Sequence, residues 1–312
     1  MSTTHTLSGR SAYGFVLTIT TCVLWGLFPI GAKAVLQETD PFTFNFFRFS
    51  LPVIVMWVFL ARRRQLPTLW RGPQRPLRKR VFIATGLLIA NYVLFAYAMG
   101  RITPGSAQIL IQIGTMMLLL SGVFLFGERF TKWQWLGCLT FIIGLVTFFF
   151  YRIQDMFHGV GSYAIGMGLM ILAAITWASY AILQKPLLAH ISSAQILLII
   201  CIVGVLFFLP LSNPMVITSL STQALLGLGF CTTSTLIGTG CFAEALAHWE
   251  ASKISATLST IPLFTLLFMQ IFKHHPDFNI VAEPITLLTL SGALLVVCGA
   301  TVVAIGGKTK QA

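Results

Sequence analysis

Charged side chains are rare within the long apolar runs of this sequence, and each one there needs a physical reason. On insertion scales, a charge at bilayer depth costs about 2.5–3.5 kcal/mol. Glu244, in FAEALAH, lies well inside such a run. Its carboxylate could bind an amine or carry a proton, or it could be hydrated near a helix end beside His248. Arg48, in NFFRFSL, could neutralise an anionic group or bond to neighbouring backbone carbonyls.

A set of uncharged polar residues recurs at helical spacing. Gln108, Gln112 and Thr115 follow Gly105 at steps of three or four residues, which puts them on one face of a helix. Amides that face lipid are costly, so this face meets either other helices or a water-filled cavity, and we favour the cavity. The same steps recur in Ser252, Ser255, Ser259 and Pro262. For these serines, helix packing is the favoured interpretation and a cavity is the alternative.

Aromatic residues form a third set of candidates. Trp25 and Trp177 lie in the middle of apolar runs, whereas aromatic residues that anchor a helix at the membrane interface lie near its ends. Both could form the wall of a cavity for an apolar or aromatic molecule, together with Tyr180. A further apolar run adds Asn91, Tyr92 and Tyr97.

Catalytic groupings are absent from the sequence. The 8 acidic residues are scattered, and neither a Ser/His/Asp set nor an HExxH-like motif occurs. The 6 cysteines are irregularly spaced within apolar runs, which fits neither a disulfide framework nor a metal site. His274 and His275, close to Asp277, are interpreted as a hydrophilic loop. We therefore expect no metal, no cofactor and no enzyme, with a membrane-embedded enzyme as a remote alternative.

The elements that must position these residues are membrane-spanning helices. The chain is 56% hydrophobic and 9% charged, with a mean hydropathy of +0.87, which is more apolar surface than a soluble domain can hide. Runs of about 20 apolar residues suit transmembrane helices. The ten predicted helices are 13–33, 42–61, 81–100, 104–126, 132–151, 161–184, 192–210, 224–247, 252–272 and 285–306. The fold class is thus an all-α polytopic membrane protein.

The basic residues predict how these helices are oriented. The net charge of +12 is concentrated in the segment between residues 62 and 80, and a cytoplasmic position for it puts both termini inside. Most basic residues then lie on the inner side, as the positive-inside rule requires. The charge is therefore a topology determinant, and we expect no nucleic-acid partner.

The sequence also contains an internal repeat. An acidic residue is followed by glycines at spacings of nine and then seven residues. Its two copies are Glu128, Gly137 and Gly144, and Glu283, Gly292 and Gly299. Trp25 and Lys33 are likewise matched by Trp177 and Lys185, and Ala98 by Ala245. Each carboxylate suits a helix N-terminus, and each glycine pair allows a close approach between helices.

The repeat divides the chain into two five-helix halves, residues 13–151 and 161–306. Because five is odd, the second half enters the membrane from the opposite face, which is an inverted-topology repeat. Two such halves around a central site can exchange outward-facing and inward-facing arrangements at little energetic difference. This architecture favours a transporter.

Three features resemble the EamA-type branch of the drug/metabolite transporter superfamily: Trp25-Gly26 in the first run, Arg48 early in the second, and GER before the fifth. The resemblance covers residues 13–150 and, more weakly, 161–306, where Glu283 is followed by Pro284 instead of the GER pattern. It implies secondary transport, often export, of amino acids or other small metabolites across a bacterial inner membrane.

The prediction from the sequence is therefore a multi-pass inner membrane transporter that exports amino acids or related metabolites by alternating access. Uptake of a small metabolite or nucleotide-like solute is the alternative. The partners are a small-molecule substrate and the lipid bilayer, and a homodimer is left open. The predicted substrate-binding residues are Trp25, Asn91, Tyr97, Gln108, Gln112, Trp177, Tyr180, Glu244, Ser255 and Ser259.

Overall fold

The computed structural model is helical throughout the part of the chain that it describes. It describes residues 11–68, 72–126, 131–151, 161–188, 190–249, 251–273 and 286–306. The α-helices are α1 Ser11–Leu36, α2 Pro41–Arg62, α3 Arg78–Met99, α4 Pro104–Leu110, α5 Gln112–Phe126, α6 Lys132–Phe148, α7 Ser162–Leu187, α8 Ser193–Phe208, α9 Thr222–His248, α10 Ala251–Leu258, α11 Ile261–Phe272 and α12 Leu287–Gly306. Short 3-10 helices cover Gly72–Leu77, Leu209–Leu211 and Pro214–Thr218.

Seven of these helices are long and apolar enough to cross a membrane, and shorter apolar helices accompany them. Most of their side chains are apolar because one helix face packs on other helices and another faces lipid, so most of the polar groups within them belong to the backbone. A helix satisfies these groups internally, which is what a lipid environment demands. The molecule is therefore a polytopic helical membrane protein.

Two predicted runs are divided within their first halves, and a third, 132–151, is interrupted at Phe149 near its end. Run 104–126 is divided at Ile111 into α4 and α5, and run 252–272 is divided at Ser259 and Thr260 into α10 and α11. Pro262, in the first turn of α11, has no backbone N–H to continue the helical hydrogen bonds. Near the first break, the N–H of Gly114 bonds to the carbonyl of Ile111, three residues back. The expectation of unbroken helices was wrong at these three places.

Short polar residues fix several helix ends. Asp40 caps α2 by accepting hydrogen bonds from the N–H groups of Phe42 and Thr43. Ser221 caps α9, and Glu38 accepts hydrogen bonds from both the backbone N–H and the hydroxyl of Ser221. These two bonds lower the pKa of the exposed Glu38 carboxyl, although slight burial opposes the shift. The segment between α1 and α2 is thereby tied to the start of α9.

Helices α6 and α12 form the most extensive helix–helix interface in the described chain. At Gly144 an added Cβ would lie 2.5 Å from the backbone nitrogen of Val296, and at Gly299 it would lie 2.5 Å from that of Phe141. At Gly137 it would lie 2.8 Å from the carbonyl oxygen of Gly299. The predicted close approach through glycines is confirmed, and the two glycine pairs approach each other. Glu128 and Glu283, which begin the two copies of the motif, lie outside the described residues.

Two other large interfaces join α1 to α9 and α3 to α7. In the first, Gly31 and Gly227 bring the two backbones together, with an ideal Cβ on Gly227 at 2.9 Å from the Gly31 carbonyl oxygen. Lys33 also crosses from α1 to the end of α3, where its Nζ donates to the carbonyls of Met99, at 2.6 Å, and Ile102, at 3.1 Å. A cation is favourable there because the last carbonyls of a helix lack partners within it.

Candidate functional site

The two broken helices meet in the interior. Helix α11 packs against α4, and α1 contacts α4, α10 and α11. Gln112 begins α5 directly after the first break, and Ser259 lies within the second, at relative exposures of 6% and 4%. The Ser259 hydroxyl bonds to the carbonyl of Ala256 and to the hydroxyl of Thr301, both at 2.7 Å. Ser255 lies in α10, and its side chain is outside the described part of the structure.

Trp25 lies beside α4, near the first break. Its backbone carbonyl accepts a 3.5 Å hydrogen bond from Nε2 of Gln108, which is itself buried. The indole is half-buried, and its centroid lies 5.7 Å from that of the Phe242 ring. An ideal Cβ on Gly238 would lie only 2.6 Å from the indole Nε1. The structure thus brings the predicted residues Trp25 and Gln108 together and requires a glycine beneath the indole.

Trp177 occupies a comparable position next to α5. An ideal Cβ on Gly114 would lie 3.1 Å from the Trp177 ring and 2.7 Å from the carbonyl oxygen of Ala174. Trp177 packs against the apolar cluster that contains Tyr180, to which Tyr92 also contributes. Tyr180 is 9% exposed, whereas Trp177 and Tyr92 are half-buried.

Asn91 and Tyr97 both face neighbouring helices. The Asn91 amide donates a buried 2.7 Å hydrogen bond to the Ala173 carbonyl and thereby links α3 to α7. The ring of Tyr97 meets Phe42 edge-on, with 6.0 Å between their centroids. Both residues stay predictions as substrate ligands, and the geometry gives Asn91 a packing role as well.

Glu244 lies apart from the residues described so far, four residues before the end of α9. Its side chain is 59% exposed, and Oε1 is 3.0 Å from Nε2 of His248, whose own side chain is 14% exposed. This is the hydrated, His248-paired geometry named above as the alternative to a substrate or proton ligand. A role for Glu244 in binding stays a prediction.

The interior also contains a cationic group held among aromatic rings. The guanidinium carbon of Arg48 lies 4.3 Å from the Phe28 ring centroid, 4.8 Å from that of Tyr92 and 5.2 Å from that of Phe49. Its Nε donates a 2.9 Å hydrogen bond to Oγ1 of Thr235, a buried residue of α9. We call these five residues the Arg48 cluster. It joins α1, α2, α3 and α9 around one positive charge.

Sequence reasoning singled out Arg48 and Tyr92 but missed Phe28, Phe49 and Thr235. Their types are common in apolar helices, so nothing in the sequence marks them. A partial signal existed, since a buried cation in an apolar run is expected to attract aromatic faces. Which helices supply those faces depends on tertiary packing.

The interior side chains are suited to binding a small molecule. Within the described residues, no group of three or more His, Cys, Asp or Glu side chains could hold a metal ion. The interior instead offers amide, hydroxyl and aromatic groups, with one cation at the Arg48 cluster. Such a mixture can hold a small molecule that has both apolar and polar parts.

Comparison with known proteins identifies relatives along almost the whole chain. The model of the EamA-like transporter family matches residues 12–150 and 164–305. The chain is 35% identical over 304 residues to "Uncharacterized inner membrane transporter YhbE" of Escherichia coli. This match covers 95% of this chain and 92% of that protein. It is 23% identical over 315 residues to a "Probable amino-acid metabolite efflux pump" of Escherichia coli, which covers 95% of this chain and 96% of that protein.

The fold also resembles a solved structure. A protein known from a crystal structure superposes with a TM-score of 0.65 at 16% sequence identity. The match covers 94% of this chain and 97% of that one. At this identity the likeness concerns the fold alone.

Proposed function

The chain belongs to the EamA-like transporter family of inner membrane proteins, and we propose that it exports amino acids or related metabolites by alternating access. The export direction and the substrate class are supported by the more distant relatives named as probable amino-acid metabolite efflux pumps. In Escherichia coli, one such relative matches along nearly its full length, so the comparison concerns the whole transporter.

The observation that carries this proposal is the matched pair of broken helices. Gln112 and Ser259 occupy equivalent places in the internal repeat, 147 residues apart, and each lies at a break. Discontinuous helices in corresponding positions of two halves are typical of transporter binding sites, because a break frees backbone groups and side chains for the substrate. Both residues are buried, and Gln112 lies one helical turn after the predicted cavity residue Gln108, which bonds to the Trp25 carbonyl.

The proposal includes two inverted five-helix halves, 13–151 and 161–306, with ten membrane spans. Helix pairing supports it. The α1–α9 interface joins the first span to the eighth, and the α3–α7 interface joins the third to the sixth. In an inverted repeat, the first span corresponds to the sixth, the third to the eighth and the fifth to the tenth. The α1–α9 pair therefore corresponds to the α3–α7 pair, and the α6–α12 pair corresponds to itself. Alternating access then follows if the two halves exchange their packing around the breaks.

The transport experiment uses the full chain in proteoliposomes loaded with single amino acids from a panel. We expect counterflow of at least one amino acid in these vesicles and no such flux in vesicles without the protein. Gln112→Leu should transport that amino acid at a several-fold lower rate. Thr233→Val, on an exposed face of α9, is the matched control and should keep the wild-type rate. Absence of flux for every amino acid and related metabolite in the panel would reject the proposed function.

The proposed orientation has both termini inside. After replacement of the native cysteines, Gln37→Cys and Gln65→Cys place single thiols at exposed positions in the segments that follow α1 and α2. In intact cells, a membrane-impermeant maleimide should label position 37 and should reach position 65 only after lysis. The reverse pattern would invert the topology.

Proton coupling is tested at Glu244. If its carboxylate carries the proton, Glu244→Gln should abolish transport driven by a pH gradient and leave counterflow exchange intact. The measurement is flux in vesicles with and without an imposed gradient. Unchanged proton dependence would assign Glu244 to the hydrated surface pair with His248.

A further inference from the structure

The charge of Arg48 has no acidic partner in the described structure. The ionisable groups nearest its guanidinium are the phenol of Tyr92 and the thiols of Cys201 and Cys231. All three are neutral near pH 7, because their ordinary pKa values lie well above it. Helix α8, which packs against α2, carries no charged residue. The site therefore holds a net positive charge in an apolar setting, where a counter-charge is strongly favoured.

The hydrogen bonds of Arg48 use one part of its guanidinium. Nε donates to Thr235, whose own hydroxyl donates to the Cys231 carbonyl at 2.8 Å, so the acceptor is fixed in direction. Nη1 and Nη2 form no hydrogen bond to any residue within the described ranges. In those ranges, the fully enclosed polar side-chain atoms without a partner are Thr39 Oγ1 and Asn45 Oδ1, so neither Nη atom is fully enclosed. Arg48 is partly exposed, so its two unbonded Nη atoms keep some accessible surface between the helices.

Three aromatic rings lie around the guanidinium. Phe28, Phe49 and Tyr92 all lie within cation–π distance of the guanidinium carbon. With Nε bonded to Thr235, four N–H donors remain on the two Nη atoms. Parallel N–H donors of this kind match the two oxygens of a carboxylate. The surrounding rings offer an apolar surface to the rest of such a molecule.

We propose that the Arg48 cluster binds the carboxylate of the substrate through the Nη atoms of Arg48, which restricts cargo to organic acids with an apolar or aromatic body. This rests on the proposed function, since an amino acid carries such a carboxylate. Thr235 is a positioning residue that holds Nε and thereby aims the Nη atoms.

The test compares acids with their amides. Binding of 3-phenylpropionate, 3-phenylpropionamide, L-phenylalanine and L-phenylalaninamide is measured by calorimetry on the full chain in lipid nanodiscs. We expect each acid to bind more tightly than its amide. Arg48→Gln should weaken acid binding by roughly 10–100-fold, the range for hydrogen bonds to a charged group, and leave amide binding unchanged.

Three further variants keep the result interpretable if Arg48→Gln folds poorly. Arg48→Lys keeps the charge and loses the paired donors, so it should bind acids weakly. Thr235→Val should weaken acid binding less and keep the preference for acids. Arg101→Gln, at an exposed arginine near the end of α3, is the matched control and should bind like wild type.

Three outcomes would each overturn the anion site. Wild type could bind acids and amides equally, the Arg48 variants could bind acids as tightly as wild type, or neither acid could bind at all. These outcomes are separate from the transport test. Acid-selective binding without flux of any amino acid would keep the anion site and reject export. Amino-acid flux that is indifferent to Arg48 would keep export and reject the site.

Discussion

A single methyl group at the crossing of α6 and α12 should be enough to destabilise the protein. At Gly144 the added Cβ of alanine would lie 2.5 Å from the Val296 backbone nitrogen and 2.9 Å from the Gly292 carbonyl oxygen. The opposing glycine is equally constrained, since a Cβ on Gly292 would meet the backbone nitrogen of Phe148. The obstructing atoms are backbone, so no side chain can rotate away.

The size of the effect follows from these distances. Favourable contacts between heavy atoms lie at about 3.5–4.0 Å, so the methyl group overlaps its neighbours by roughly 1 Å. The helices must separate by a comparable distance, which weakens packing along the whole interface. Overpacking of this kind costs about 1–3 kcal/mol. It is offset in part by the better helix propensity of alanine, about 1 kcal/mol relative to glycine. We expect Gly144→Ala to destabilise by up to roughly 2 kcal/mol relative to wild type, and Gly144→Val to destabilise by more.

The assay is thermal unfolding of the purified chain in one detergent, read by intrinsic tryptophan fluorescence and by loss of the monodisperse size-exclusion peak. Gly86→Ala and Gly168→Ala are matched controls, because a Cβ at either position meets no atom within 4 Å. Both controls should equal or exceed wild-type stability through their gain in helix propensity. If Gly144→Ala were as stable as these controls, the close crossing of α6 and α12 would be refuted.

Three further predictions concern residues outside that interface. Glu38→Gln should lower the Tm by roughly 1–3 °C at neutral pH by weakening the cap at Ser221. Because the pKa of Glu38 is lowered in the folded state, its stabilisation is fully present above the unfolded value near 4.5. It should decline below that value and be lost as the pH falls through the lowered pKa of the folded state, which thermal unfolding from pH 7 to pH 3 measures. Lys33→Met should destabilise by about 1.5–3 kcal/mol, since it removes the cation that bonds the last carbonyls of α3, and Lys33→Arg should recover part of that loss in the same unfolding assay. Gly238→Ala should displace the Trp25 indole and raise the KM for the transported amino acid with little change in Tm; an unchanged KM in the vesicle assay would remove Trp25 from the site.

Much of the fold could be predicted from residue types and spacing. Each of the ten apolar runs contains a described helix, because in lipid a long apolar segment must satisfy its own backbone hydrogen bonds. The glycines seven residues apart also predicted a close helix crossing, since such a pair stays on one helix face and lacks side chains that would hold a partner away.

The candidate site was less accessible to sequence reasoning. The faces of Gln108 and Gln112 follow from helical periodicity, and both residues are buried. The break after α4 depends on how the chain packs around it, and the break after α10 coincides with Pro262; the sequence-based prediction kept both runs as single helices. For Glu244 the sequence left two interpretations open, and the exposed side chain paired with His248 has the geometry of the hydrated one.

By itself, then, the sequence determined the membrane-spanning helices, the repeated glycine motif and an arginine that needed an explanation. Tertiary structure decided which helices meet: α6 with α12, α1 with α9, and α3 with α7. The physical reason is that lipid-facing and helix-facing surfaces are equally apolar, so hydrophobic periodicity cannot distinguish one from the other. The rings around Arg48 come from α1, α2 and α3, and its hydrogen-bond acceptor comes from α9. Only the packing of these helices brings that cluster together and leaves the outer nitrogens of Arg48 without a hydrogen-bond partner in the described structure.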